Sequence, residues 1–443
     1  MFKKNNPKGR MRVIDFELNP GNIQGIILDT LTYAASKLWN VGNYERKNWT
    51  NESGNEYPDW FLQKRNLKEH YWYKNLPSQT AQDVLKKLDE GWKSFFELKK
   101  TKGIDNPNPL GYKHSNFNIR FLNNGFKVFD QTIRMSVPKN QKEYIFEKHN
   151  IKVDFLYIRI PKEYKNIEGN IKVIEIIPIP KSNRYDVRII IELPKVMKKE
   201  DNGRYMSIDL GVNNLITCFT STGKNIIISG RQLLSLNRYY DKKIGYFQSI
   251  SYADQAKRGK RYPKDTRRIQ KLYEKRRKQV LHLLHAATKH IIDIAEREGI
   301  TTIIIGDITY IRENKNMGRV NNQKFHKWPY GKITELLKYK AEDRGIGVEV
   351  QEESYTSQCS PHAVEVSMEY AQKSNRKQRG LYITNGKAYN ADCVGAYNIL
   401  KKYLCRIGNK AIPAVEGLDT PDAYRWNNHC FVGSSKLAIS MAM

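Results

Sequence analysis

Between residues 205 and 404 the chain changes its hydrophobic period in an order that few folds accommodate. Met206 to Leu210, Leu215 to Thr220 and Asn225 to Ile228 read as three successive strands, the last two joined by Ser221-Thr222-Gly223-Lys224. A long basic helix follows from Thr266 to Glu298, with Ile269, Leu272, Val280, Leu284, Ala287, Ile291 and Ile294 along one side. Then come the buried strand Thr302 to Ile308, a helix from Ile333 to Asp343, the strand Val348 to Glu352 and a last helix from Ala391 to about Tyr403.

Three antiparallel strands followed by alternating helix and parallel strand predict an α/β domain of ribonuclease-H-like order. The earlier half reads differently. Met11 to Leu18 alternates like a strand, and Ile23 to Trp49 has helical spacing. Pro77-Ser78-Gln79 opens a second helix whose stripe Thr80, Val84, Leu88, Trp92 and Phe95 suits core packing. Its other face carries Lys86, Lys87 and Lys93, either solvated or tracking phosphates. After the break Asp105-Asn106-Pro107-Asn108-Pro109, short strands at Phe126 to Phe129, Thr132 to Val137, Phe155 to Ile160, Val173 to Ile179 and Tyr185 to Leu193 predict a small β-barrel. The first strand is expected to join that barrel, which makes the helices an insertion. Lys195 to Arg204 is a charged linker, and the stretch from Arg406 onward lacks any period.

The balance of 76 Lys+Arg against 46 Asp+Glu leaves a formal net charge of +30. Such a surface points to a polyanionic partner, with strongly salt-dependent binding. The 27 Tyr and 7 Trp, interleaved with the basic residues, favour nucleic acid, because aromatic faces stack on unpaired bases. No run of about 18 apolar residues predicts a membrane span, and the first residues lack an apolar signal core. Five unevenly spread cysteines argue against a disulfide framework and for a reducing cytosol.

Within this basic chain two aspartates stand at the edges of apolar elements beside glycines, Asp209 in Ser207-Ile208-Asp209-Leu210-Gly211 and Asp392 in Asn390-Ala391-Asp392-Cys393. Two or three carboxylates can hold a pair of divalent ions ~4 Å apart against the attacking and leaving oxygens of a phosphodiester. On spacing alone Asp392 also reads as an ordinary helix cap and Asp209 as a turn residue.

The segments SIDLGVNNLITCF, EESYTSQ and NADCVGAYNILKKY, in this order, resemble the RuvC-like nuclease domain of the transposon-encoded TnpB (OrfB-type) family. That family is related to the compact type V CRISPR effectors. ASKLWNVGNYERK and LPSQTAQDVLKKLDEGWKSFFEL resemble its helical recognition insertion, so the likeness extends to about Leu404. It implies an architecture of α/β plus β-barrel. The first part of an N-terminal (wedge) barrel would span 1–25, the recognition insertion 26–104 and the remaining barrel 105–200. The RuvC-like domain would span 205–358, a basic insert 359–389, the last RuvC-like segment 390–404 and a flexible tail 405–443.

The resemblance also implies two Mg²⁺ ions, for which Mn²⁺ can substitute, held by Asp209, Asp392 and a glutamate. The glutamate's usual strand here reads Ile303-Ile304-Ile305-Gly306-Asp307, with glycine in its place. Asp307 is one residue on, and alternation points it to the opposite face. Glu352 or Glu353, ending the next core strand, is the better substitute; otherwise the site is dead. The family's four zinc cysteines are represented only by Cys359 and His362, so zinc is not expected. The insert Ala363 to Asn390, with Lys373, Arg376, Lys377 and Arg379, then reads as a metal-free lobe on nucleic acid. His282, His285 and His290 lack zinc-protease spacing and read as packing or phosphate contacts.

Lys260, Arg261, Arg267, Arg268, Arg276 and Arg277 mass charge before and along the long helix and read as a channel for a guide–target duplex. The expected function is RNA-guided cleavage of DNA next to a short flanking motif. The partners would be a guide RNA from the transposon end and double-stranded target DNA, in a prokaryotic cytoplasm and without a membrane. The alternative is a nuclease-dead, RNA-guided DNA-binding repressor, which Gly306 favours and the retention of both aspartates opposes.

Overall fold

The computed structural model of the chain describes residues 9–50, 52, 54, 56–101, 106–165, 167–180, 182–308, 318–378, 380–409, 411–415 and 417–433, the side chains of 319–321 and 324 excepted. The chain divides into two compact units, Met1–Lys195 and Val196–Met443.

In the first unit the elements run β1 (Arg10–Leu18), α1 (Asn22–Lys47), α2 (Trp60–Asn66), α3 (Tyr71–Lys74), α4 (Ser78–Thr101), β2 (Ile119–Leu122), β3 (Phe126–Phe129), β4 (Thr132–Ser136), α5 (Lys139–His149), β5 (Phe155–Arg159), β6 (Asn170–Pro178) and β7 (Tyr185–Leu193). β1 pairs along its whole length with β7, from Arg10 opposite Leu193 to Leu18 opposite Tyr185. The expected closed barrel is not what the ladders give. Among the described residues the strands form an antiparallel sheet of order β1-β7-β6-β2 and a separate sheet β3-β4-β5. The chain leaves the larger sheet at the turn after β2, where the Gly125 amide donates back to the Leu122 carbonyl at 2.6 Å and the Gly125 carbonyl accepts from the Ser136 amide. That turn hands β3 to β4 instead of continuing the first ladder. Leu28, Leu31 and Leu38 of α1 pack with Val84 and Leu88 of α4 and with Ile174, Val187 and Ile189 of the larger sheet. Lys87 turns inward to Glu175 at 3.3 Å and Asp83 at 3.4 Å, so it serves the unit's own charge pairing.

In the second unit β8 (Tyr205–Asp209), β9 (Asn214–Thr220) and β10 (Asn225–Ser229) are followed by α6 (Arg231–Lys257), α7 (Arg267–Arg297), β11 (Thr302–Asp307), α8 (Arg319–His326), α9 (Tyr330–Asp343) and β12 (Gly347–Glu352). A hairpin of β13 (Leu381–Thr384) and β14 (Lys387–Asn390) precedes α10 (Ala391–Arg406), and β15 (Asp422–Asn427) and β16 (Cys430–Gly433) follow. The main sheet has the order β12-β11-β8-β9-β10-β15-β16. β9 pairs antiparallel with both β8 and β10, while β11 runs parallel to both β8 and β12.

The sheet is covered on both faces, and its central strands β8, β9 and β11 are buried along almost their whole length. Ile303 and Ile305 pack with Leu284 and Ile291 of α7 and Leu337 of α9. Ile304, between them, packs with Ala396, Tyr397 and Leu400 of α10. Residues of even number in β11 and of odd number in β8 therefore face α10.

Two expectations need correction. The segment 405–443 is not structureless where it is described, because β15 adds to the sheet parallel to β10 and β16 pairs with β15. Phe431 is buried in the core, and Tyr424 meets His290 of α7 edge-on with ring centroids 4.4 Å apart. Each of these two strands buries a single residue, Ala423 and Phe431, too little to mark a strand in the sequence. α6 also went unseen, since only Leu233, Asn237, Tyr240 and Ile244 of its 27 residues are buried. No helix among the described residues is long and apolar enough to cross a membrane.

Candidate active site

Asp209 closes β8 on the face that meets α10. The helix approaches closely there: Ser207 Oγ donates to the Ala396 carbonyl at 2.6 Å. A Cβ built on Gly395 would stand 2.6 Å from Asp209 Oδ2, so the approach requires glycine. Asp209 is half-buried. Burial raises its pKa above the ordinary carboxylate range, the neighbouring Asp392 raises it further, and the Arg376 guanidinium opposes both.

Asp392 sits in the first turn of α10, whose N-cap Asn390 accepts from the amides of Asp392 (3.0 Å) and Cys393 (3.3 Å). Its Oδ2 accepts from Asn214 Nδ2 at 2.8 Å, and Arg376 Nη2 is 3.4 Å from its Oδ1. Its helix and the end of β8 thus bring Asp392 close enough to Asp209 for their charges to repel.

Gly306 faces the same way, and its emptiness is filled. A Cβ built there would lie 2.7 Å from Cγ and 2.5 Å from Cδ of Glu353, and closer still to Oε1. The Glu353 carboxyl thus lies where a side chain at 306 would begin. Burial first, then the charges of Asp209, Asp307 and Glu352, push its pKa up. Its Oε1 is buried without a hydrogen-bond partner among the described residues.

Glu352 is engaged elsewhere. Its Oε1 accepts from the Ser354 amide at 2.5 Å and from the Ser354 hydroxyl, and Lys402 pairs with its Oε2. Burial tends to raise its pKa, but Lys402 and Ser354 outweigh that and hold it below the ordinary range. Asp307 is exposed and stands opposite Glu352 in the β11–β12 register. Of the two glutamates left open by the sequence, Glu353 is the one brought to Asp209.

Asp209, Asp307, Glu352, Glu353 and Asp392 all line a cleft of about 870 Å³, together with Asn214, Arg231 and Arg376. Among the described residues no three His, Cys, Asp or Glu side chains already stand close enough to hold a metal ion. The donors nevertheless suit a hard divalent cation, which takes oxygen ligands. Two carboxylates are raised by burial and by like charge, and one of their oxygens lacks any partner.

The other residues singled out from the sequence lie apart from these carboxylates. Cys359 Sγ donates to the Ser367 carbonyl at 3.2 Å, and His362 Nε2 is 3.1 Å from the Tyr389 hydroxyl. The insert is anchored to α10 instead: Asn398 Nδ2 donates to the carbonyls of Thr356 and Cys359, both at 2.8 Å, and Lys401 reaches those of Pro361 and Ala363. Arg379 lies outside the described residues. Lys260, Arg261, Arg267, Arg268 and Arg277 are exposed. Arg268 covers the Phe247 ring at 3.8 Å, and Arg276 is half-buried and gives its guanidinium to Asn237 Oδ1 at 2.6 Å, joining α6 to α7. His282 packs edge-on against Trp426, and His285 meets the Tyr339 hydroxyl. Sequence reasoning missed Asn214 and Arg231, although Asn214 belongs to the quoted SIDLGVNN segment. Arg376 was read only as a nucleic-acid contact.

Comparison with known proteins bears on this geometry. The profile of the family OrfB_IS605, described as a probable transposase, matches residues 188–312. That of the Cas12f1-like TNB domain matches residues 330–399. The TnpB-like protein ORF457 of Acidianus two-tailed virus is 27% identical over 422 residues, covering 87% of this chain and 85% of its own. The putative RNA-guided DNA endonuclease InsQ of Escherichia coli (strain K12) is 21% identical over 411 residues, 88% of this chain and 92% of its own. Among solved structures, a Cas12f1–sgRNA–target DNA complex shares the fold with a TM-score of 0.59, at 18% identity, over 86% of this chain and 83% of that one.

Proposed function

Because this chain belongs to the TnpB/OrfB family of IS605 type and carries a Cas12f-like TNB segment, we propose that it is an RNA-guided DNA endonuclease. In this reading it hydrolyses a phosphodiester of target DNA in a ribonuclease-H-like (RuvC-like) site, beside a short flanking motif. A guide RNA from the transposon end would select the sequence by base pairing, with protein contacts mostly to backbone. The observation that carries the reading is the Glu353 carboxyl lying in the space left by Gly306, turned toward Asp209.

Asp209, Asp392 and Glu353 would hold the divalent ions, preferably Mg²⁺, which when bound supply a nucleophile at neutral pH and neutralise charge on the phosphoryl oxygens. The protein's own part is preorganisation. Asn214 and Arg376 orient Asp392 from two sides. Gly395 lets α10 carry Asp392 to the end of β8. Lys402 and Ser354 keep Glu352 out of the set. Arg231 and Arg376 add positive charge to the cleft wall, which suits a polyanionic strand.

A repressor that binds without cutting is the rival, and it rests on the missing carboxylate at Gly306. Glu353 removes most of its footing. The test is cleavage of a matched duplex by the purified protein–RNA complex in Mg²⁺. Asp209→Ala and Glu353→Gln should each lose more than about a hundredfold, beyond the usual cost of perturbing a residue behind a ligand. Glu352→Gln and Asp307→Asn should retain most activity. Guide-dependent binding without any cutting by the wild type would hand the function to the repressor.

A further inference from the structure

The unit Met1–Lys195 contains a cavity of about 490 Å³ that the nuclease reading does not use, within the size range of small-ligand sites. Its walls are aromatic. Tyr33 of α1 and Tyr71 of α3 meet Trp72 edge-on, with ring centroids 5.6 and 4.9 Å apart, and Tyr144 of α5 also lines the space. Tyr33 and Tyr71 are 46% and 52% exposed, whereas Tyr73, two residues beyond Tyr71, is 4% exposed in the core. Rings kept in water around a cavity are poor packing and good stacking surfaces.

The floor is polar and rich in acceptors. Gln141 is 1% exposed, yet its Oε1 has no hydrogen-bond partner among the described residues, a costly arrangement unless a ligand supplies the donor. Asp29 accepts at Oδ1 from the Tyr185 hydroxyl (2.6 Å) and from Asn116 Nδ2 (3.2 Å). Asn75 spends its Nδ2 on the Tyr71 carbonyl at 2.9 Å. Each asparagine thus spends one N–H within the wall, and the Gln141 Oε1 remains open for an incoming donor. Lys148, bonded to the Tyr144 hydroxyl at 2.9 Å, sets a cation beside these rings.

We propose that this cavity takes one unpaired nucleobase from a single strand of nucleic acid, stacked on the Tyr33–Trp72–Tyr71 cluster with its donor edge toward Gln141 and Asp29. Acceptors crowded on one side select the base with the most donors on one edge, so guanine, with N1–H beside its amino group, is preferred. Lys148 is suited to the adjoining phosphate. The proposal does not depend on the nuclease reading, because it concerns binding alone.

The test uses the full chain and dye-labelled nonamers of thymidine or uridine carrying at the centre a guanine, another base or an abasic residue. Anisotropy is read at high salt, where phosphate contacts are weakened. Guanine should bind about tenfold tighter than the abasic strand. Tyr33→Ala, which removes an exposed ring, should erase that difference with the circular dichroism unchanged. Gln141→Met should level guanine with the other bases while keeping the advantage over the abasic strand. A central 6-thioguanine should crosslink to Tyr33, Tyr71 or Trp72. Comparing DNA with RNA identifies the strand that supplies the base. Equal binding of guanine and abasic strands in both series, or an advantage that Tyr33→Ala leaves intact, would overturn the proposal.

Discussion

Replacing Glu353 with glutamine should stabilise the metal-free protein, and by an amount that grows with pH. In the folded chain the Glu353 carboxyl is held above its ordinary 4.5 by burial, then by Asp209, Asp307 and Glu352. Unfolding returns it to the ordinary range. Between those two values the folded state binds one proton more than the unfolded state, so stability falls by up to about 1.4 kcal/mol per pH unit as pH rises. This contribution is complete below the ordinary value and is lost as pH climbs through the raised one. Asp209, raised by burial and by Asp392, adds a slope of the same sign that remains in the variant. An amide does not titrate. Between about pH 5.5 and 7.5 the gap between Glu353→Gln and wild type should therefore widen by up to about 2.7 kcal/mol. Urea denaturation in EDTA across that range measures it. Repeating the series in Mg²⁺ should close the gap, because the ion binds only the folded wild-type site. Parallel stability curves in EDTA, or a variant less stable than wild type at both ends, would refute the assignment of a desolvated, repelled carboxyl.

Gly395→Ala places a methyl 2.6 Å from Asp209 Oδ2. Overpacking should cost about 1–3 kcal/mol, partly offset by up to about 1 kcal/mol of helix propensity, so the melting temperature should fall by several degrees at most. Cleavage should still fall by more than about tenfold, since small displacements of reacting groups are expensive. Arg46→Met leaves Asp89, whose side chain is 4% exposed and lies 2.9 Å from the guanidinium, with Lys93 as its remaining ion-pair partner among the described residues. The variant should lose about 3–5 kcal/mol in urea denaturation, with the damage confined to the first unit.

Much of the second unit was legible because both faces of its sheet are buried. A short apolar run such as Ile303-Ile304-Ile305, buried on both faces, leaves little choice but a central strand. Asp209 and Asp392 could be read from motifs, since each ends or opens an element within a short recognisable segment, and Asn390 caps the helix two residues before Asp392. Glu353 could only be narrowed to a pair, because its role depends on where the turn after β12 sends it, and Lys402, 50 residues away, claims the other glutamate. α6 and the last two strands were illegible for a simpler reason. They contribute few apolar positions, and their burial is decided by α7, which period alone does not reveal. The division of the short strands into two separate sheets was illegible because hydropathy carries no record of which strands exchange hydrogen bonds.

The crowding at Gly306 has an evolutionary side. Two side chains cannot share that space, so positions 306 and 353 cannot be inherited independently. On the proposed reading, an ancestor with glutamate at 306 could acquire a second at 353 only if it waited outside the site. Loss of the first would then let the newcomer fall in without an inactive generation. The opposite order passes through a protein with no third carboxylate. A lineage that swapped one for the other should therefore have living relatives that carry both, and a glycine at this position should not be taken on its own as the mark of a dead nuclease.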